Sequence, residues 1–161
     1  MELLQKARAL YLAGEMHDAL EVAQAACERQ AKDPDAWWLL GCISRYTEMP
    51  VASDDAFRRA ATLSRKRPAP IRVDGRRFRQ LIEGSLQTLS PDARRRLRTT
   101  RIEVEPLPDL DAVKAGLSPD APSAREREPA DVLTIFQVNL ENRSTTEAEL
   151  AKLVERTLVR A

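Results

Sequence analysis

Histidine, cysteine and aromatic residues are scarce in this chain: one His, two Cys, and 4% Phe, Trp and Tyr together. A zinc site draws three or four donors to one point, mostly His and Cys. His17, Cys27 and Cys42 stand apart in sequence and do not make such a set, so no metal or other cofactor is expected. The two cysteines read as reduced, buried small hydrophobes rather than a disulfide. Long hydrophobic runs are missing too. Nowhere do about 18 apolar residues follow one another, and Glu2, Lys6 and Arg8 interrupt the start, so neither a membrane-spanning helix nor a signal peptide is expected and the expected location is cytoplasmic. Charge of one sign is also absent. With 26 basic and 25 acidic side chains the net charge is +1, leaving no global field to attract nucleic acid or an anionic membrane.

What is present is apolar content, 43% of 161 residues, enough for one ordinary domain or two small ones. A shift of 34 residues lays Leu3 over Trp37, Ala7 over Gly41, Ala19 over Ser53, Ala23 over Phe57 and Ala26 over Ala60. Small residues recur where paired helices would touch. The same shift sets Pro34 over Pro68, each read as preceding a new helix, where the missing N–H is tolerated. Trp37, Leu40 and Gly41, with Gly14, Ala19, Leu20 and Ala26, resemble the tetratricopeptide repeat.

The resemblance covers about the first 67 residues and implies two helical hairpins, near residues 2–31 and 35–66. Met49-Pro50 stands where the family usually turns on glycine, and Ser53 where it usually has alanine. So short an array needs a lid. The helix predicted over Asp74 to Leu89, with Phe78, Leu81, Ile82, Leu86 and Leu89 on one face, is the candidate bridge between the two halves. Carried over by position, the family's concave binding face would be Leu4, Arg8, Tyr11, Leu12, Trp38, Cys42, Arg45 and Tyr46. Two arginines among aromatics suit an acidic or aromatic peptide. The competing reading is that the chain's own C-terminal half covers Tyr11, Trp38 and Tyr46.

Beyond the repeats, Asp92 to Leu97 reads as a short helical turn and Arg101 to Glu105 alternates like a half-buried strand. Residues Leu107 to Leu117 read as a turn and short helix around Leu110, Val113 and Leu117. Ser118 to Pro129, with three prolines and the string Arg125-Glu126-Arg127-Glu128, reads as a flexible loop. The arginine runs, Arg76, Arg77 and Arg79 and then Arg94, Arg95, Arg96, Arg98 and Arg101, lie opposite the apolar stripes without interleaved aromatics. They read as solvated faces rather than a phosphate track. The acidic pairs Asp109/Asp111, Glu126/Glu128 and Glu147/Glu149 read as caps and solvated loops.

The last thirty residues hold a β-branched run, Val132 to Val138, a break over Asn139 to Ser144, and an amphipathic helix capped by Thr145 or Thr146 with a stripe of Leu150, Leu153, Val154, Thr157 and Leu158. From Phe78 onward, the order of elements around Leu89-Ser90-Pro91, Ile102 to Leu107, Ala115-Gly116-Leu117, Asn139-Leu140-Glu141 and Thr157-Leu158-Val159 resembles the small bacterial zincin-like metallopeptidases. The resemblance implies a metal helix reading T-[LV]-[LV]-H-E-x-x-H. Here the first histidine falls on Arg160 and the glutamate on Ala161. Arginine offers zinc no lone pair and alanine no base, so the chain is expected not to be an enzyme. The family's glycine-containing strand is also missing, where Pro119 to Pro129 stands.

The expected fold class is α+β: helical hairpins over residues 1–67, then a small zincin-like half-domain over 68–161 with two or three strands and a C-terminal helix. The expected function is a non-catalytic adaptor or regulator that binds another protein. A second contact surface is expected at the edge of the Val132 strand and the face of the last helix, through Val132, Thr134, Phe136, Val154 and Leu158, where a partner or a second copy would cover an unclosed apolar face. The alternatives are a zinc metallopeptidase fragment whose active-site helix is truncated in this chain and, more weakly, a nucleic-acid-binding regulator using the arginine runs.

Overall fold

A computed structural model describes residues 2–161. Among the described residues the elements run α1 (Leu3–Leu12), α2 (Met16–Arg29), α3 (Pro34–Tyr46), α4 (Pro50–Leu63), α5 (Gly75–Thr88), α6 (Pro91–Arg96), β1 (Arg101–Glu105), α7 (Leu110–Lys114), β2 (Ser123–Glu126), β3 (Val132–Phe136), α8 (Gln137–Asn142) and α9 (Glu147–Arg160). The class is α+β. The chain divides into two compact units, Met1–Pro70 with Asp109–Pro119, and Ile71–Pro108 with Asp120–Ala161. No described helix is long and apolar enough to cross a membrane.

In the first unit α1 pairs with α2 and α3 with α4, as two helical hairpins. Ala7, Ala19, Ala23 and Gly41 are all buried, and the small side chains let the helix axes approach closely. Each hairpin turns on a left-handed residue 34 positions from the other, Gly14 at φ +82° and Glu48 at φ +59°. The second turn therefore keeps the geometry of the first without its glycine. A side chain in that conformation costs roughly 1–2 kcal/mol. Glu48→Gly is expected to raise stability by up to about 1 kcal/mol, the relieved strain being partly offset by a looser unfolded chain. Urea unfolding followed by fluorescence of Trp37 and Trp38 measures it, and a variant less stable than the parent would contradict the strain.

Proline at 34 opens α3 behind an Asp33 cap whose carboxylate accepts from Asp35 N at 2.9 Å, and Pro50 opens α4. Pro68 opens nothing, because the next helix starts at Gly75. The lid also differs from the expectation. Helix α5 belongs to the second unit, where Phe78, Leu81 and Ile82 share a core with Leu133, Ile135, Leu140, Leu150, Val154 and Leu158. The first unit is instead closed by α7, whose Val113 is 1% exposed and lies in one core with Tyr11, Met16, Leu39, Ile43 and Phe57. Residues 109–119 therefore fold with the hairpins, outside the 68–161 grouping expected from order in the chain.

The second unit carries a three-stranded sheet in the order β1-β3-β2. β1 runs parallel to β3 with Arg101 opposite Val132 and Glu105 opposite Phe136, and β2 runs antiparallel to β3 with Ser123 opposite Ile135. Residues 118–129, expected to be a flexible loop without a strand, thus contain β2. Its Arg125 is fastened by Asp131: Nε donates to Oδ1 at 2.9 Å and Nη2 to Oδ2 at 2.8 Å. Thr100 donates its hydroxyl to the same carboxylate at 2.8 Å, and these bonds hold the Asp131 carboxyl down at about 2. The break expected over 139–144 is mostly helix as well. Helix α8 follows β3 directly and buries Val138, Asn139, Leu140 and Glu141.

Helix α9 matches its sequence pattern closely. Thr146 caps it by accepting from Glu149 N at 3.1 Å, and Leu150, Val154 and Leu158 are no more than 1% exposed. Burying side chains of this size stabilises by about 1.5–3 kcal/mol each.

Candidate functional site

The hairpin face expected to receive a partner is largely occupied by its own chain. Tyr11 and Cys42 are buried, and the Tyr11 and Tyr46 rings meet edge to face at 5.9 Å. The Tyr46 hydroxyl donates to Pro119 O at 2.7 Å, so the segment carrying α7 is tied down at its far end as well as through Val113. Trp38 is half-buried between the Phe57 ring, 4.6 Å away, and the Arg67 guanidinium, 5.2 Å from its centroid. Arg45 Nη2 meets both carboxylate oxygens of Asp54 at 3.0 Å and is spent inside the unit. Leu4 is half-buried, and only Arg8 and Leu12, the latter 52% exposed, face outward.

The second expected surface is corrected too. β3 is the central strand, with its hydrogen-bonding edges taken by β1 and β2, so it offers no free edge. Val132 and Thr134 are half-buried, Phe136 is buried, and Val154 and Leu158 sit in the core beneath the sheet. The apolar face of α9 is therefore closed by α5 and the sheet, with only Val159 left 43% exposed. Strand addition in this unit is confined to β1 and β2.

Along β1 the edge opens onto a groove of about 520 Å³ shared with α5. Ile82 and Leu86 from α5, with Ile102 and Val104 from β1, form its apolar floor; Arg79, Glu83, Glu103 and Glu105 form its rim. Arg101 N donates to Asp131 O at 3.0 Å, which fixes the strand's phase. Alternation then turns the N–H and C=O groups of Ile102 and Val104 away from β3 and toward the free edge. The Arg101–Glu103 ion pair at 3.0 Å is solvent-exposed and worth at most about 1 kcal/mol, so it holds the rim weakly. Sequence reasoning missed this groove. The signal was the alternation of Arg101 to Glu105, which a short strand displays whether it is central or an edge.

Along β2 a smaller cavity, about 90 Å³, is walled by α9 and the C-terminal end of α8. Arg160, where the zincin resemblance puts a histidine ligand, lines it with Arg143 and Arg156. Among the described residues no group of three or more His, Cys, Asp or Glu is placed to hold a metal ion. In the first unit, burial pushes the Cys27 thiol up to about 11, with Asp33 adding to the shift, so it stays protonated and unreactive at neutral pH. Comparison with protein-family models and with curated proteins finds no match for this chain.

Proposed function

We propose that the chain is a non-catalytic protein-interaction adaptor that captures an extended segment of another protein along the free edge of β1. The observation that carries this reading is the groove itself, an apolar floor running beside two outward-facing N–H and C=O pairs. An added strand would satisfy those groups and place alternate side chains on Ile102 and Val104. The rim carries Glu83, Glu103 and Glu105 against Arg79, with Glu103 only weakly paired to Arg101, and this acidic excess selects a segment that alternates apolar and basic residues. The hairpin unit supports the adaptor reading as a second folded body, its inner face filled by residues 109–119 and its outer face bearing Arg8 and Leu12.

A peptide of alternating valine and lysine, titrated into the labelled protein, is expected to shift the amide signals of Ile102, Val104 and Leu86 saturably. Val104→Pro removes one outward N–H while leaving the ladder to β3 intact, which an edge strand tolerates. It is expected to weaken the peptide at least about tenfold with little change in melting temperature. Unchanged affinity in Val104→Pro would overturn the site. Self-association through the same edge, abolished by that substitution, would replace the foreign partner with a second copy. Stoichiometric zinc together with peptide cleavage by the purified chain would overturn the non-catalytic reading.

A further inference from the structure

We infer that the cavity between the β2 edge and α9 is a binding site for a phosphate-type dianion. Three arginines, Arg143, Arg156 and Arg160, line a space of about 90 Å³ whose remaining walls are Pro122, Ser123, Leu153 and Thr157. No carboxylate lines it. Arg143 donates Nη2 to Asp120 O at 2.8 Å, a neutral carbonyl that positions the side chain and leaves its charge uncompensated. None of the three arginines has an ion-pair partner among the described residues.

Helix dipole alone is a weak account of this cluster. Cations in a last turn gain a few tenths to 1 kcal/mol from the helix C-terminus. Arg156 and Arg160, however, are four residues apart on one face, a like-charge pair that opposes helix formation, and the positions three and four away from Arg156 are Lys152, Leu153, Val159 and Arg160, none acidic. Arg143 comes from the C-terminal end of another helix altogether. The strand adds a further donor. Phe136 N donates to Pro122 O at 3.0 Å, so Pro122 faces β3 and the N–H of Ser123 points off the free edge. The arginines and the Ser123 N–H are donors only, the Ser123 hydroxyl both donates and accepts, and the Thr157 hydroxyl donates to Leu153 O at 2.8 Å.

Three positive charges around one cavity without a lining carboxylate favour a ligand bearing more than one negative charge. A phosphate monoester carries about −1.5 to −2 and three acceptor oxygens, matching three guanidinium forks better than a single carboxylate does. This inference does not rest on the β1 groove.

Inorganic phosphate, titrated into the full chain at constant ionic strength with chloride as the balancing anion, is the first probe. Saturable amide shifts at Ser123, Arg143, Arg156 and Thr157 are expected. The double variant Arg156→Gln/Arg160→Gln, checked for folding by circular dichroism, should weaken binding about a hundredfold, roughly tenfold for each charge-assisted contact. Affinity should rise between about pH 5.5 and about pH 7.5 as phosphate takes its second charge. A phosphoserine peptide that binds more tightly than inorganic phosphate identifies a modified protein as the source, and the reverse order identifies free phosphate. An adventitious ion only, seen as shifts that do not saturate, or equal binding by the double variant, overturns the site. A response flat with pH overturns the dianion.

Discussion

Glu141→Ala is expected to cost the second unit about 2–4 kcal/mol, less than breaking a fully buried ion pair because only the carboxylate is buried and its Arg72 partner is 23% exposed. Glu141 is 3% exposed, and its carboxylate serves three donors: Arg72 Nη1 at 3.3 Å, Val73 N at 2.9 Å and Gln137 Nε2 at 3.2 Å. Around it, Arg72 Nη2 donates to Asn142 Oδ1 at 2.8 Å, Gln137 Nε2 to Val73 O at 3.0 Å, and Ile71 N to Ser144 O at 2.8 Å. These bonds stitch residues 71–73, the strand of chain that begins the unit, onto α8. Alanine leaves the Val73 N–H without its acceptor and takes the carboxylate from Arg72, which keeps its bond to Asn142. Glu141→Gln keeps an acceptor for Val73 and should lose about half as much, because the charge-assisted share alone is removed. All four Trp and Tyr residues, Trp37, Trp38, Tyr11 and Tyr46, belong to the first unit. Intrinsic fluorescence therefore follows that unit, and the loss should appear in far-UV circular dichroism and in amide exchange of α8. Unchanged exchange there in Glu141→Ala would show that the network contributes nothing net.

Glu141 also marks where sequence stops being legible. Within Asn139 to Glu141 nothing local says helix; the segment is helical because its carboxylate reaches back some seventy residues to Arg72 and Val73. The same reason hides β2. Ser123 to Glu126 has neither β-branched residues nor an apolar face, and it is a strand because β3 lies beside it and Asp131 anchors Arg125. By contrast α9 was readable in full, since a cap, acidic first turn and stripe are all local features. The hairpins were readable for a related reason: their 34-residue period repeats small residues at the contacts and even a left-handed residue at the turn. Strand order was not. A parallel β1–β3 pair with β2 on the far side is a choice among topologies that the residues of any one strand do not distinguish. That choice moved the candidate binding edge from β3 to β1, and it turned the supposed metal helix into one wall of an arginine-lined cavity. The near-continuous apolar run of β3 was the one usable hint that it is the central strand.

Phe57→Ala and Gly41→Ala are each expected to destabilise the first unit, and together they are expected to be less harmful than their sum. Phe57 is fully buried between Trp38 and Gly41, and its truncation leaves a cavity worth about 3–5 kcal/mol. A methyl group at Gly41 would lie 2.7 Å from Phe57 Cε1, 2.8 Å from Cδ1 and 2.9 Å from Cζ. Those are contacts no Cβ tolerates, and the ring has no room to retreat, so overpacking of about 1–3 kcal/mol outweighs the gain of up to about 1 kcal/mol from replacing a helical glycine by alanine. With the ring gone the clash is gone. In the Phe57→Ala background the Gly41→Ala change should therefore reverse sign, adding helix propensity and filling part of the cavity. A double-mutant cycle in urea, read by tryptophan fluorescence, measures the coupling. Additive losses would mean that Gly41 is not held small by Phe57, and that the close approach of α3 and α4 has some other cause.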